Sequence, residues 1–505
     1  MLNDFYKQFK SGTDIRGVAS EGVEGQSVNL TDDVVADMAD GFVLWLSKKV
    51  SKKPSELKIS VGRDSRISGP HIMKITTERF KRCGAEVLCC QLASTPSMFM
   101  TTVDLGCDGA LQITASHHPF NRNGLKFFTR EGGLEGSDIE EILLYAQNGE
   151  HPEESNGGNI TDVDYMSDYA KGLCEKIKKE VNAEDYEHPL KGFKIVVDAG
   201  NGAGGFYADK VLSVLGADTT GSRYLEPDGM FPNHIPNPEN ETAMNSVREA
   251  TLGAKADLGV IFDTDVDRGG CVSSDGREIN RNALVALAAV IALESNPGGT
   301  VVTDSVTSAG LTEFIEKTLG GHHLRFKRGY KNVIDEAIRL EENGINAPLA
   351  IETSGHAAFR ENYYLDDGAY LITKIIIKAA DMKKQGKKLY DLISELKYPA
   401  EEKEVRLKIS EEDFRAVGDR LLNELADFAA KREDWQIAPD SHEGIKIIFP
   451  KTESFFILRQ SVHDPVIPIN FESAQNGGVK KAASSLYEFI KDFDGVDISP
   501  LKEIL

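Results

Sequence analysis

Lys194-Ile-Val-Val-Asp-Ala-Gly-Asn-Gly202 is a short β-branched run that ends in a polar, glycine-rich turn. The same local pattern recurs on either side of it. Leu57-Lys-Ile-Ser-Val-Gly-Arg-Asp-Ser-Arg66 lies upstream, and Thr300-Val-Val-Thr-Asp-Ser-Val-Thr-Ser308 lies downstream. Each is followed by a helical pattern. Short buried strands that alternate with helices predict α/β layers with mixed, mostly parallel sheets. Openings spaced by roughly 100 residues or more predict three similar α/β domains. The end of the chain has a different texture. Strand-like runs at Ile445–Phe449, 455–458 and 466–471 sit between amphipathic helices, which predicts an α+β domain.

Composition places the boundaries. The stretch 148–162 is polar and rich in glycine, so the first domain is expected to end there. A second boundary falls between an aspartate-rich segment and the apolar helix expected over 284–293, and a third near Tyr398-Pro399. The expected division is 1–155, 156–282, 283–398 and 399–505. Length alone gives about three to four domains.

Charge narrows the partners. The chain has 505 residues, with 58 Lys plus Arg against 80 Asp plus Glu, a net charge of −22. General nucleic-acid binding requires a basic surface, so that class is excluded, and so is docking on anionic membranes. A small anionic ligand in a locally basic pocket remains compatible. No apolar run approaches the roughly 18 residues of a membrane span, and the N-terminal stretch has no secretory pattern. The cysteines at 83, 89, 90, 107, 174 and 271 form no C-x-x-C pair. They read as the reduced thiols of a cytoplasmic protein.

Four loops carry chemistry. Thr114-Ala-Ser-His-His-Pro-Phe-Asn-Arg-Asn-Gly-Leu-Lys126 follows the apolar run 110–113. That places it at the C-terminal end of a strand, where open α/β sheets bind ligands. A serine hydrolase reading of Ser116 beside His117 fails, because the G-x-S-x-G elbow is missing. Asp263-Thr-Asp-Val-Asp-Arg268 follows Leu258-Gly-Val-Ile-Phe262. Three carboxylates at alternate positions repel unless a cation sits among them, and oxygen-only ligation suits Mg²⁺ or Ca²⁺. An EF-hand is excluded, because its sixth position would be Arg268 and its twelfth Ser274. Glu352-Thr-Ser-Gly-His356 offers hydroxyl, carboxylate and imidazole groups suited to sugar hydroxyls. In Arg459-Gln-Ser-Val-His-Asp-Pro465, Arg459, Ser461 and His463 alternate and can converge on an anion. Gly200-Asn-Gly-Ala-Gly-Gly205 matches G-x-G-x-x-G, yet a ligand-free βα turn explains it as well.

Taken together, these segments resemble the α-D-phosphohexomutase family of phosphomannomutases and phosphoglucomutases. The order of the motifs matches along nearly the whole chain, and Gly12-Thr-Asp-Ile-Arg-Gly17 resembles the family's opening G-x-D-I-R-G. The resemblance implies four domains around a central cleft, three of them similar. It implies that Ser116 carries a phosphoryl group and shares one Mg²⁺ per chain with Asp263, Asp265 and Asp267. Arg16, His117, Lys126 and Arg268 would balance the charge, with Lys126 and His356 the candidate acid and base. Glu352, Ser354 and Gly355 would hold the sugar. Arg459, Ser461, His463 and, from Arg328-Gly-Tyr-Lys331, Lys331 would hold phosphate.

The implied reaction interconverts hexose 1-phosphate and hexose 6-phosphate, of mannose or glucose, through a hexose 1,6-bisphosphate. The expected partner is a sugar phosphate, with the chain a monomer or homodimer. Alternatives are a phosphoglucosamine mutase, a phosphopentomutase, a Mg²⁺-dependent phosphatase, or a non-catalytic phosphosugar-binding relative. The family's phosphate loop usually reads R-x-S-G/N-T-E-P. Here Val462 and His463 depart from it, which bears on phosphate affinity and its pH dependence. Thr353 stands where the family commonly has Met or Glu.

Overall fold

A computed structural model describes residues 1–411, 413–439, 441–461 and 465–505. His463, with Val462 and Asp464, lies outside the described residues. The chain folds as two compact units, one of Met1–Leu284 with Ser354–Leu392, the other of Val285–Thr353 with Ile393–Leu505. Among the described residues no helix is long and apolar enough to cross a membrane.

The first unit holds two sheets. In one, Lys58–Arg63 lies parallel to Glu86–Leu92 and to Gly109–Ile113. Gly109–Ile113 then pairs antiparallel with Arg122–Thr129, and that strand with Asp14–Val18. The strands are largely buried, and helices Asp32–Val50 and Gly69–Arg82 supply Val35, Phe42, Ile72 and Phe80 to the same core. This sheet ends two motifs at one edge: loop 114–121 leaves Gly109–Ile113, and Arg63-Asp64 leaves Lys58–Arg63.

In the second sheet, Ile195–Asp198 runs parallel to Leu258–Phe262. Gly269–Ser273 then returns antiparallel along Leu258–Phe262. The intervening loop 263–268 is therefore the tip of a tight reversal. Val266 has φ 68° there, a left-handed conformation that is costly for a β-branched residue and must be held by its surroundings. Two contacts hold it: Ala203 N donates to Thr264 O at 2.8 Å, and Gly368 N donates to Val266 O at 3.2 Å. The glycine-rich turn after Ile195–Asp198 thus abuts the aspartate loop. A Cβ on Gly202 would lie 2.6 Å from Thr264 O, so the need for glycine there is explained by backbone approach.

In the second unit, Thr300–Asp304 lies parallel to His322–Phe326 and Leu349–Ile351. The C-terminal portion is an antiparallel sheet in which Glu401–Ile409 and Ser454–Leu458 flank Val466–Ser473. Helices Phe414–Ala429 and Gly478–Ile490 contribute Leu421, Leu425, Leu486 and Ile490 to a core with Phe456 and Phe471. The expected α+β texture is therefore present. The fold class is the expected one: three α/β domains with mixed sheets and a further sheet domain at the C-terminus.

Gly202→Ala is expected to cost about 1–3 kcal/mol, the usual penalty of overpacking against backbone. Chemical denaturation would show it as a lower midpoint at an unchanged slope.

Candidate active site

The site in the first unit is built from strand ends. Ser116 follows Gly109–Ile113 and sits at φ 50°, almost fully buried. Its Oγ lies 3.3 Å from Asp263 Oδ2 and 3.2 Å from His117 Nδ1. Its N–H donates to Thr114 Oγ1 at 2.9 Å, and that hydroxyl donates to Asp64 Oδ2 at 2.8 Å.

Asp263, Asp265 and Asp267 are 0%, 0% and 1% exposed, and each offers an oxygen within 4.8 Å of the others. Each carboxylate is also tied to the fold. Arg268 N donates to Asp263 Oδ1 at 3.2 Å, Thr95 Oγ1 to Asp265 Oδ2 at 2.5 Å, and Lys126 Nζ to Asp267 Oδ2 at 2.9 Å. Asp265 Oδ1 and Asp267 Oδ1 are buried with no hydrogen-bond partner among the described residues. Buried acceptors without a partner are costly. A hard divalent cation bound by oxygens fits this donor set.

The protonation of the triad follows from its surroundings. Burial, then the charges of Asp267 and Asp265, push the Asp263 carboxyl well above the usual range. Burial and Asp267 push Asp265 up to about 6. Burial would raise Asp267 too, but Lys126, His356 and Arg268 outweigh it and hold that carboxyl below the usual range. Two members of the triad therefore resist ionisation until a positive charge arrives.

The cations converge on the same place. Arg268 Nε donates to His356 Nε2 at 2.9 Å, and its Nη2 lies 3.1 Å from His117 Nδ1. His356 Nδ1 meets Asp366 Oδ2 at 2.6 Å. Accepting from Arg268 requires a neutral His356, while the buried Asp366 carboxylate favours the imidazolium. Protonation of His356 would thus release Arg268. Asp267, His356 and Asp366 form a second possible ligand group. There, however, imidazole and carboxylate already engage each other. Arg16 is paired with Asp14, Nη2 to Oδ2 at 2.9 Å. Gly355 has φ 97°, and a Cβ would lie 2.7 Å from Gly269 O, so this member of the sugar loop is demanded by backbone geometry.

In the second unit, Gly329 N donates to Glu352 Oε1 at 2.6 Å, which brings Arg328-Gly-Tyr-Lys331 beside the Glu352 carboxylate. Lys331 Nζ pairs with Asp335 Oδ1 at 2.8 Å along helix Tyr330–Glu342. Arg459 is 7% exposed, and its Nη2 donates to Asn470 Oδ1 at 3.4 Å. Burial holds its guanidinium below the ordinary value. Ser461 N donates to Val466 O at 3.2 Å.

Three family models match the chain, phosphoglucomutase/phosphomannomutase α/β/α domain I over 7–152, domain II over 168–276 and domain III over 280–398. A phosphoglucomutase/phosphomannomutase of Thermococcus kodakarensis is 30% identical over 464 residues, covering 91% of this chain and 93% of that protein. The chain belongs to the α-D-phosphohexomutase family. A phosphoglucomutase of Neisseria meningitidis is 27% identical over 487 residues, 95% of each chain. The crystal structure of a Burkholderia thailandensis protein of the phosphoglucomutase/phosphomannomutase family shares the fold. Its TM-score is 0.78 at 24% identity, covering 97% of this chain and 98% of that one. This phosphohexomutase is therefore an isomerase-class enzyme of carbohydrate metabolism.

Sequence reasoning missed several residues that shape the site. Thr95 begins the helix Thr95–Asp104 and reaches Asp265 with both its hydroxyl and, through Asp265 O, its N–H. Asp366 orients His356. Neither lies in a motif with its partner, so no spacing announced them. Asp64 stood in a strand-end turn already noted, and its position at a sheet edge was the available signal.

The two histidines after Ser116 are held neutral. Burial, then Arg268 and His118, push His117 down to about 2, and burial, then Arg16 and Arg122, push His118 down to about 3. Their folded values lie below the unfolded value of about 6.5. The stability tied to them is therefore present above that pH and lost as pH falls below it. Ring resonances of both should stay fixed from about pH 8 to 5. A titration midpoint near neutrality in either would contradict the assignment.

Proposed function

We propose that this phosphohexomutase interconverts hexose 1-phosphate and hexose 6-phosphate with Ser116 as the phosphoryl carrier. The observation that supports this reading most is the placement of the Ser116 hydroxyl 3.3 Å from Asp263 Oδ2, one member of a triad of buried carboxylates. A serine against three aspartates is repulsive toward a phosphate unless a cation lies between them, and the buried oxygens of Asp265 and Asp267 that accept no hydrogen bond among the described residues fit such an ion.

Asp263, Asp265 and Asp267, with an oxygen on Ser116, would hold Mg²⁺. Bound there, the ion would neutralise phosphate charge and polarise the phosphoryl group. The rest of the reaction falls to the chain's own residues. Phosphoryl transfer is mostly positioning and charge neutralisation, so a site rich in cations is expected. Arg268, anchored by His356 and facing His117, supplies a fixed positive charge beside Ser116.

In the forward half-reaction the free O1 or O6 hydroxyl of the sugar attacks the phosphorus. The bond from phosphorus to Ser116 Oγ breaks as the bond to the sugar oxygen forms. The hydroxyl proton passes to a base, for which Lys126 and His356 are the candidates, and the product is a hexose 1,6-bisphosphate. The second half-reaction returns the other phosphate to Ser116, with the acid and base roles reversed. Glu352 and Ser354 would grip ring hydroxyls that look alike in the two orientations. Arg459, Ser461, His463 and Lys331 would hold the phosphate that is not reacting, and Arg16 the charge near the carrier loop. His463 belongs to this proposal from its sequence position alone.

The test is a coupled assay on glucose, mannose, glucosamine and ribose 1-phosphates, with Mg²⁺ and a trace of hexose 1,6-bisphosphate. Isomerisation of hexose phosphates is expected, and Ser116→Ala should lower it by about 10³-fold or more. Undiminished turnover in Ser116→Ala would sink the carrier role. Release of inorganic phosphate faster than isomerisation would make the protein a phosphatase instead.

A further inference from the structure

Arg66, at the end of the strand-turn segment Leu57–Arg66, is 0% exposed and is the largest fully buried side chain among the described residues. Its guanidinium has five N–H donors, and each meets an acceptor. Nε donates to Asp64 Oδ2 at 3.1 Å. Nη1 donates to Pro119 O at 2.7 Å and Arg122 O at 2.9 Å. Nη2 donates to His118 O at 2.7 Å and to Ser116 O. Four of the five acceptors are therefore main-chain carbonyls of one loop, residues 116–122. The ring of Phe231 covers the guanidinium carbon at 5.2 Å.

A loop whose carbonyls turn inward onto a buried cation cannot relax without stranding that cation. This matters most at Ser116, which holds a left-handed φ of 50° that serine does not adopt without support. The carbonyl of Ser116 is gripped by Arg66, and its N–H is gripped by Thr114 Oγ1. The Thr114 hydroxyl in turn donates to Asp64, which also accepts from Arg66 N at 2.9 Å. Both peptide groups beside the carrier serine are thus fixed by one buried Asp64–Arg66 pair. With every donor used on the loop and on Asp64, Arg66 has none to offer a ligand.

We propose that Arg66 is a positioning residue for phosphoryl transfer: it templates the loop that aims Ser116 Oγ. This rests on the reading of Ser116 as the phosphoryl carrier. Lysine cannot substitute, because three donors from one point do not reproduce a planar five-donor fork.

The experiment compares full-length wild type, Arg66→Lys and Thr114→Val. It measures kcat and KM for hexose phosphate isomerisation and the rate at which hexose 1,6-bisphosphate phosphorylates Ser116, followed by intact mass. Arg66→Lys should lower kcat and the phosphorylation rate together by about 100-fold, the scale of a small misplacement of reacting atoms, with KM within about twofold. The phosphorus resonance of its phosphoserine should shift or broaden, which a distant loss of stability would not cause. Thr114→Val removes the hydroxyl link and leaves the ion pair intact, and should lower kcat by about tenfold at unchanged KM. Wild-type kcat in Arg66→Lys overturns the proposal. If Arg66→Lys does not fold, wild-type kcat in Thr114→Val overturns it. A wild-type protein that takes no phosphate on Ser116 instead overturns the carrier reading itself.

Discussion

Mutual repulsion among three carboxylates at the end of one buried strand is the constraint on which the first unit depends. Asp263, Asp265 and Asp267 project from the tip of a tight reversal in which almost nothing is exposed. Taking such charges out of water costs several kcal/mol per ion unless partners compensate. Lys126 and Arg268 compensate in part, and Thr95 and the Arg268 N–H add hydrogen bonds. The remainder is left for a cation. The strained Val266, the close approach of the 200–205 turn and the N–H of Gly368 all serve to keep the tip in one shape.

The same constraint gives meaning to the charge of the whole chain. A net charge of −22 suggests a protein that repels anions. Around Ser116, Arg16, Arg66, Lys126 and Arg268 stand against the buried carboxylates, and His117 and His118 are kept neutral first by burial and then by neighbouring arginines. The acidity is a property of the surface at large. It leaves a sugar phosphate as a compatible ligand, because a small anion meets local cations rather than the net charge.

The α/β class, the C-terminal α+β texture and the loops carrying Ser116 and the aspartates were legible because each is a local pattern. β-branched runs mark strands, and chemistry-bearing residues sit next to their strand ends. What escaped was non-local. Gly269–Ser273 drew no strand expectation, yet it is a strand because Leu258–Phe262 offers it an edge. Thr95 and Arg66 act on loops far away in the chain, Asp366 acts on His356 across the hairpin between them, and no periodicity links any of the three to its partner. The G-x-G-x-x-G match had the right strand–turn–helix context, but its glycines answer to Pro236 at Gly200, to the backbone of Thr264 at Gly202 and to that of Leu225 at Gly205.

The most direct test of this account is calorimetric titration of the protein with Mg²⁺ in two buffers of different ionisation enthalpy. Burial and mutual repulsion hold Asp263 and Asp265 protonated longer than ordinary carboxyls, with Asp265 at about 6. Binding should therefore release protons, and affinity should rise as pH increases through 6. Asp265→Asn should bind more weakly and release fewer protons. Mg²⁺ binding that takes up no part of the triad, seen as equal affinity and equal proton release in wild type and Asp265→Asn, would contradict the account.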